Sequence, residues 1–262
     1  MKKNILLLIF LANILFAFYN NDTSQISLLN EINYTIYSGS KLTSKLISKD
    51  NLANKLFYTS LITSSFIFDK SIYKRNLKNN YPEIEKPLNV IKNCGEIKLI
   101  APISLSIYAF GYYFQNNQLY EIGRDLTNSL FFTGITITTL KTITGRSRPY
   151  VNEGPSKYRF FQTKFDYTSL PSGHTAIAFT LATVFSKHLN NTYATIFLYS
   201  LAAGTSLERI YSNNHWFSDV IMAGIISYNI ADVITDKKNN LDKSFIIYPD
   251  YHKQGIGMFV RF

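Results

Sequence analysis

Leu170-Pro171-Ser172-Gly173-His174-Thr175 stands between an irregular basic stretch and an apolar run, Ala176 to Phe185. Pro171 closes the extended chain and Ser172 is a good N-cap, so a helix is expected to begin here. The backbone N–H groups of Gly173, His174 and Thr175 are then the first without a helical partner. Free amides at the positive end of a helix dipole form a site for an anion. Gly173 admits a phosphate-sized group close to the backbone. His174 sits where a proton can be given or taken. The six residues describe an anion cradle with a proton donor inside it, which suits phosphoryl chemistry.

The surrounding chain is helical in pattern. Ile100 to Phe114, Leu126 to Leu140, Ala176 to Phe185, Ala194 to Ala203 and Val220 to Ile234 each space Ile, Leu, Phe and Ala as a helix does. They also carry Ser, Thr, Asn and Tyr, so helices packed on one another explain them better than five lipid-facing spans. The expected fold is all-α, a bundle of about five to six helices. Phe245 to Tyr248, a Pro249-Asp250 turn and Gly255 to Phe262 add an expected C-terminal β-hairpin. A membrane barrel is excluded, since it needs about eight or more such strands.

Four regions follow. Residues 1–19 begin with Lys2 and Lys3 and run through apolar Ile5 to Phe16, the layout of a signal peptide or N-terminal anchor. Residues 20–51 are rich in Ser, Thr and Asn and read as a loose polar linker. Residues 52–237 form the helical catalytic domain. Within it Phe57 to Phe68 is apolar but short for a bilayer, and Tyr73 to Lys98 reads as a basic, Pro-containing connector. Residues 238–262 are the hairpin tail.

The chain has 262 residues, 17% of them charged, with a formal net charge of +10. The low charge and a mean hydropathy near zero lie between a polytopic membrane protein and a soluble helical one. The positive balance points to an anionic partner, a phosphate ester or an acidic membrane surface. Nucleic acid is disfavoured, because Lys and Arg sit in short loops rather than along one helix face. Cys94 is the single cysteine, which excludes an intrachain disulfide and a cysteine metal site.

Two further segments carry charge in a suggestive order. Lys141 and Arg148 lie seven apart, close to two helical turns, and project from one face if the helix persists to Pro149. Arg148 offers a planar fork for two phosphate oxygens. By themselves such cations also serve as helix-dipole partners or solvated charges. His215 and Asp219 lie four apart, so the carboxylate is placed to fix one ring nitrogen and leave the other as a nucleophile. The plainer alternative is an ion pair at a helix start. Arg209 can reach the same anion. All these positions fall at helix ends of one parity, which an up-and-down bundle gathers on one side. His188 and His252 lie outside the three segments and read as structural.

Lys141-x6-Arg148-Pro149, Pro171-Ser172-Gly173-His174 and Arg209-x5-His215-x3-Asp219 resemble, in order, the three signature segments of the type 2 phosphatidic acid phosphatase superfamily, which includes vanadium haloperoxidases. The resemblance covers roughly Leu126 to Ile234. It implies that His215 is the nucleophile that becomes phosphohistidine, that Asp219 orients it, and that His174 protonates the leaving alcohol. It also implies that Lys141, Arg148, Arg209, Ser172 and the Gly173 amide hold the phosphate oxygens. One position departs from the pattern: Glu208 stands where the family usually has Ser before the arginine.

The sequence offers no carboxylate cluster for Mg²⁺ and no His-x-x-x-His pair for Zn²⁺, so metal-independent activity without a cofactor is expected. The expected substrate is a phosphorylated lipid, or else a small soluble phosphate ester. The signal-like start and the resemblance imply an inner-membrane-associated protein with an extracytoplasmic active site. A vanadium-dependent haloperoxidase and a non-catalytic bundle that binds acidic lipid are the alternatives.

Overall fold

The computed structural model describes residues 28–48, 52–78, 82–236, 245–250 and 255–260. Among the described residues there are eight α-helices: α1 (Leu28–Ile47), α2 (Leu52–Lys78), α3 (Pro82–Ile91), α4 (Ile97–Tyr113), α5 (Asn117–Thr144), α6 (Gly173–Leu189), α7 (Thr192–Tyr211) and α8 (Phe217–Thr235). The five apolar segments lie in α4 to α8, apart from Phe114, which is the C-cap of α4. The expected signal segment and His252 lie outside the described residues.

The helix count exceeds the five or six expected, and the reason is local. The polar stretch read as a loose linker contains α1, and α2 absorbs both Phe57 to Phe68 and the start of the supposed connector. Their hydroxyls do not compete with the helix but bond to it. Thr35 donates to the Glu31 carbonyl at 3.0 Å, Thr43 to Gly39 at 2.9 Å, and Thr63 to Thr59 at 2.8 Å. Ser and Thr satisfied in this way do not mark a loop. Pro82, within the stretch read as a Pro-containing connector, is the first residue of α3, where a missing N–H costs nothing.

The chain divides into two compact units, Lys49–Ala231 and the pair of segments Met1–Ser48 and Asp232–Phe262. In the second unit Lys41 donates to the Asp236 carbonyl at 2.7 Å and Lys45 faces Asp232 at 3.5 Å. There β1 (Phe245–Asp250) pairs antiparallel with β2 (Gly255–Val260). Pro249 and Asp250, expected as the turn, stand in β1 opposite Ile256 and Gly255.

In the first unit α6 packs between α5 and α7. Ile100, Leu126, Leu130 and Val184 form one buried cluster, and Ala178, Ala182 and Ala202 another. The alanines let α6 and α7 approach closely, and hydroxyls bridge the helices: Thr133 of α5 with Thr180 of α6 at 3.2 Å, and Ser206 of α7 to Thr175 of α6 at 3.2 Å. His188 on α6 pairs with Asp125 on α5 at 2.9 Å, both buried, a structural contact at the helix interface.

Candidate active site

α5 stops at Thr144 because Gly145 takes the left-handed conformation, φ 56°. A Cβ there would sit 1.6 Å from the Arg159 carbonyl oxygen, so only glycine fits. Lys141 is on the last helical turn, but Arg148 lies beyond it in extended backbone before Pro149. The two cations therefore do not share a helix face, as their spacing suggested. The loop brings them together instead. It folds back through Ser147 N–H to Lys157 O, Arg148 N–H to Asp166 O and Ser169 N–H to Arg146 O, at 2.9, 2.9 and 3.1 Å. Lys141 Nζ then donates to the Thr168 carbonyl at 2.6 Å. Arg148 donates to Phe165 O at 2.8 Å and Asn214 O at 3.2 Å, with its guanidinium 3.8 Å from the Phe165 ring centre.

α6 starts at Gly173 with Ser172 as N-cap, its hydroxyl accepting from the Thr175 amide at 3.5 Å. The Ser172 amide donates to the Asp219 carbonyl at 3.0 Å, which ties this helix start to that of α8. Lys141 Cε lies 3.8 Å from where a Gly173 Cβ would stand, so the lysine arm passes over the helix end. His174 is on the first turn. Its Nε2 is 3.3 Å from Glu96 Oε2, and its side chain is 30% exposed.

His215 is held from the other side. Its amide and that of Asn214 both donate to Arg209 O at 3.1 Å, which folds the α7–α8 turn back on α7. Arg209 itself is paired with the adjacent Glu208 carboxylate, which is buried. Asp219 is the third residue of α8, and its Oδ2 reaches back to the Trp216 amide at 2.9 Å, as in a capping box. The same oxygen accepts from Ser169 Oγ at 2.5 Å. His215 Nδ1 faces it at 3.5 Å, longer than a normal hydrogen bond, and is a buried nitrogen without a hydrogen-bond partner.

Asp219 has a second anchor that the sequence reading missed. Arg146 Nη1 donates to Asp219 Oδ1 at 2.6 Å, and Arg146 Nη2 to Asp69 Oδ2 at 2.6 Å. Asp69 also accepts from the Ser218 amide at 2.8 Å and the Ser218 hydroxyl at 2.7 Å, so it caps the start of α8 from α2. Side-chain exposure of Arg146, Asp69 and Asp219 is 1% or less. Phe66, Asp69, Tyr73 and Asn76 form one face of α2. Phe66 lies 5.0 Å under the Arg146 guanidinium, Tyr73 packs on Trp216 at 5.2 Å, and Asn76 donates to the carbonyls of Ile210 and Tyr211. The 3-4-3 spacing of those four residues was the available signal. Trp216 is 2% exposed and donates to Ser147 O at 2.8 Å, so it belongs to this wall and offers no surface to a lipid tail.

Electrostatics links the expected residues. Burial pushes His215 well below its usual range, and Arg148 and Lys141 act in the same direction against Asp219. Burial first, then Arg209, lowers His174 to about 4, while Glu96 pulls upward. Lys141 falls to about 7 through burial and then Arg148. Burial is also the main reason Arg148 falls to about 10, with Arg209 adding to it. Lys141 acts on both imidazoles and Arg209 on both His174 and Arg148, so these groups share one field. Among the described residues no three His, Cys, Asp or Glu side chains gather as metal ligands. Lys141, Arg148 and Arg209 gathered about the imidazoles suit this place to an anion.

Residues 123–241 match the sequence profile of the PAP2 superfamily. Over this span the chain is similar to the PAP2 superfamily. The lipid A 1-phosphatase of Porphyromonas gingivalis is 40% identical over 96 residues, 32% of this chain and 21% of that protein, so only about a fifth of that relative's length is matched. Two crystal structures share the fold. Aquifex aeolicus LpxE matches with a TM-score of 0.51 at 21% identity, over 64% of this chain and 94% of its own. A transmembrane PAP2 type phosphatidylglycerolphosphate phosphatase from Bacillus subtilis matches at 0.52 and 15% identity, over 78% and 93%. This likeness supports the all-helical PAP2 fold and gives no support to the C-terminal hairpin as part of it. Asp69 and Glu96 both precede the residues that match the PAP2 profile.

Proposed function

We propose that this protein is a metal-independent phosphatase that acts on phosphate monoesters or diphosphates carried by lipids. His215 is the nucleophile. A neutral imidazole has a lone pair to use, and burial keeps this one neutral. With Nδ1 turned to Asp219, the other nitrogen attacks phosphorus. The P–N bond forms as the P–O bond to the leaving group breaks, and His174 gives its proton to the departing oxygen. Water then attacks the phosphohistidine, His174 takes up its proton, and His215 is released with inorganic phosphate. Lys141, Arg148, Arg209 and the Gly173 amide hold the phosphate oxygens, with Ser172 at the same helix start. Phosphoryl transfer needs chiefly positioning and charge stabilisation, which these groups supply.

The observation that carries this reading is the pair of unlike imidazoles around Lys141, one sealed against a fixed carboxylate and one on a helix N-terminus. A lipid-linked substrate is favoured by the lipid A 1-phosphatase relative and by the helix surfaces. Leu56, Phe57, Ile67, Phe110, Ile196 and Phe197 are more than half exposed on α2, α4 and α7. By length and composition α8 is apolar enough to cross a membrane, as is the bent pair Glu83–Gly95 with Ile97–Tyr113. We place the protein at the inner membrane, with the active site on its outer side. The test is phosphate release by purified protein in EDTA from phosphatidate, phosphatidylglycerol phosphate, prenyl diphosphate and lipid A. Release in EDTA that is lost in His215→Ala supports the reading. Activity that needs added Mg²⁺, or that survives in His215→Ala, contradicts it.

A further inference from the structure

The carboxylate of Glu96 has no structural task that accounts for it. Glu96 is the N-cap residue of α4, yet its side chain makes no capping hydrogen bond. Its Oε2 faces His174 Nε2 at 3.3 Å instead. The approach is enforced by the preceding residue. Gly95 ends a short 3-10 turn, Lys92–Gly95, and a Cβ there would lie 2.4 Å from the His174 carbonyl oxygen. The backbone at 95–96 is thus pressed against the first turn of α6, and a larger residue would push the carboxylate away.

The other charges around His174 oppose its protonation. Arg209 from α7 and Lys141 from α5 disfavour the imidazolium, and burial does so more strongly than either. Lys92 of the same turn is engaged with Asn89 at 2.9 Å. Glu96 is the one acidic group among the named neighbours that supports a charged ring.

We propose that Glu96 is a positioning residue for the general acid, holding one ring nitrogen of His174 so that the other delivers its proton to the leaving oxygen. This rests on the phosphatase reading above. As the P–O bond breaks, the imidazolium loses one proton to the alkoxide and returns to a neutral ring still bonded to the Glu96 carboxylate. The role extends the acid–base machinery to a residue outside the PAP2 profile match.

The test compares two substrates in purified wild type, Glu96→Gln and Glu96→Asp. An alkyl phosphate has a poor leaving group and needs the acid; p-nitrophenyl phosphate has a good one and does not. Glu96→Gln should lower kcat/KM for the alkyl ester about tenfold, as befits loss of a charge-assisted contact. It should move the alkaline limb of that profile to lower pH, because His174 loses its counter-charge, and leave the aryl ester nearly unchanged. Glu96→Asp should recover part of the alkyl activity. Equal losses on both esters, or no change on either, would overturn the proposal while leaving the phosphatase reading intact. If wild type hydrolyses neither ester nor any lipid phosphate, the phosphatase reading falls and this proposal with it. Glu96 is about one-third exposed, so Glu96→Gln should unfold at the wild-type temperature.

Discussion

The two imidazoles of this site are held in opposite ways. His215 is 3% exposed and backed by Asp219, which is fixed through three donors, Ser169, Trp216 and Arg146, with Asp69 behind Arg146. His174 is 30% exposed and has one carboxylate at 3.3 Å. A nucleophile must keep one orientation and stay neutral, and a sealed wall provides both. An acid must charge and discharge each turnover, and a half-open position beside mobile solvent suits that. On the proposed phosphatase reading, rigidity is needed behind the phosphorus and not beside the leaving group.

The largest break in that comparison comes from the sealed side. His215→Ala should cut kcat by on the order of 10³-fold or more, and Asp219→Asn by about 10²-fold or more, read as phosphate release from a lipid ester. His174→Ala should cost about 10²-fold on an alkyl ester and much less on an aryl one. A smaller loss in His215→Ala than in His174→Ala would invert the assignment of roles.

Stability should divide in the same way. Asp69→Ala leaves Arg146 Nη2 and the Ser218 amide without their acceptor in a dry interior. It should destabilise the fold by about 3 kcal/mol in a denaturant titration. The surface-facing Glu96→Gln should not. If Asp69→Ala unfolded at the wild-type midpoint, the α2 wall would not be what fixes Asp219.

The smallest effect sharpens the contrast by pH. Burial and neighbouring cations lower His174 to about 4 and Lys141 to about 7. A bound phosphate favours the protonated form of both. Calorimetry of the binding of sulfate, a tetrahedral anion that does not itself titrate near pH 7, in buffers of different ionisation enthalpy should therefore show net proton uptake by the complex. Proton release would contradict the shared-field description. Protein stability should also rise with pH between about 4 and 6.5. His174 binds fewer protons folded than unfolded in that window, so stability is lost as pH falls through it.

Much of this site could be read from the chain because its parts sit at helix ends. Ser172 announces a helix start by its chemistry, and the order of Lys141, Arg148, His174, Arg209, His215 and Asp219 is a local pattern. What escaped is tertiary. Arg146 looks like one more loop cation beside Arg148, and nothing adjacent reveals that it is dry and bound to two carboxylates. Asp69 stands 77 residues from Arg146, between an apolar stretch and one that read as a basic connector. The loop geometry also hid behind arithmetic: a seven-residue spacing suggested one helix face, while Gly145 ends the helix between the two cations. Contacts of long sequence separation leave only the faint trace of Phe66, Asp69, Tyr73 and Asn76 on one face of α2.

The central claim is that phosphorus is carried on His215 during turnover. Mixing the protein with a ³²P-labelled lipid phosphate and quenching in alkali, where phosphohistidine survives, should give labelled protein with the label on the His215 peptide and none in His215→Ala. Label on another residue, or undiminished label in the variant, would contradict the account.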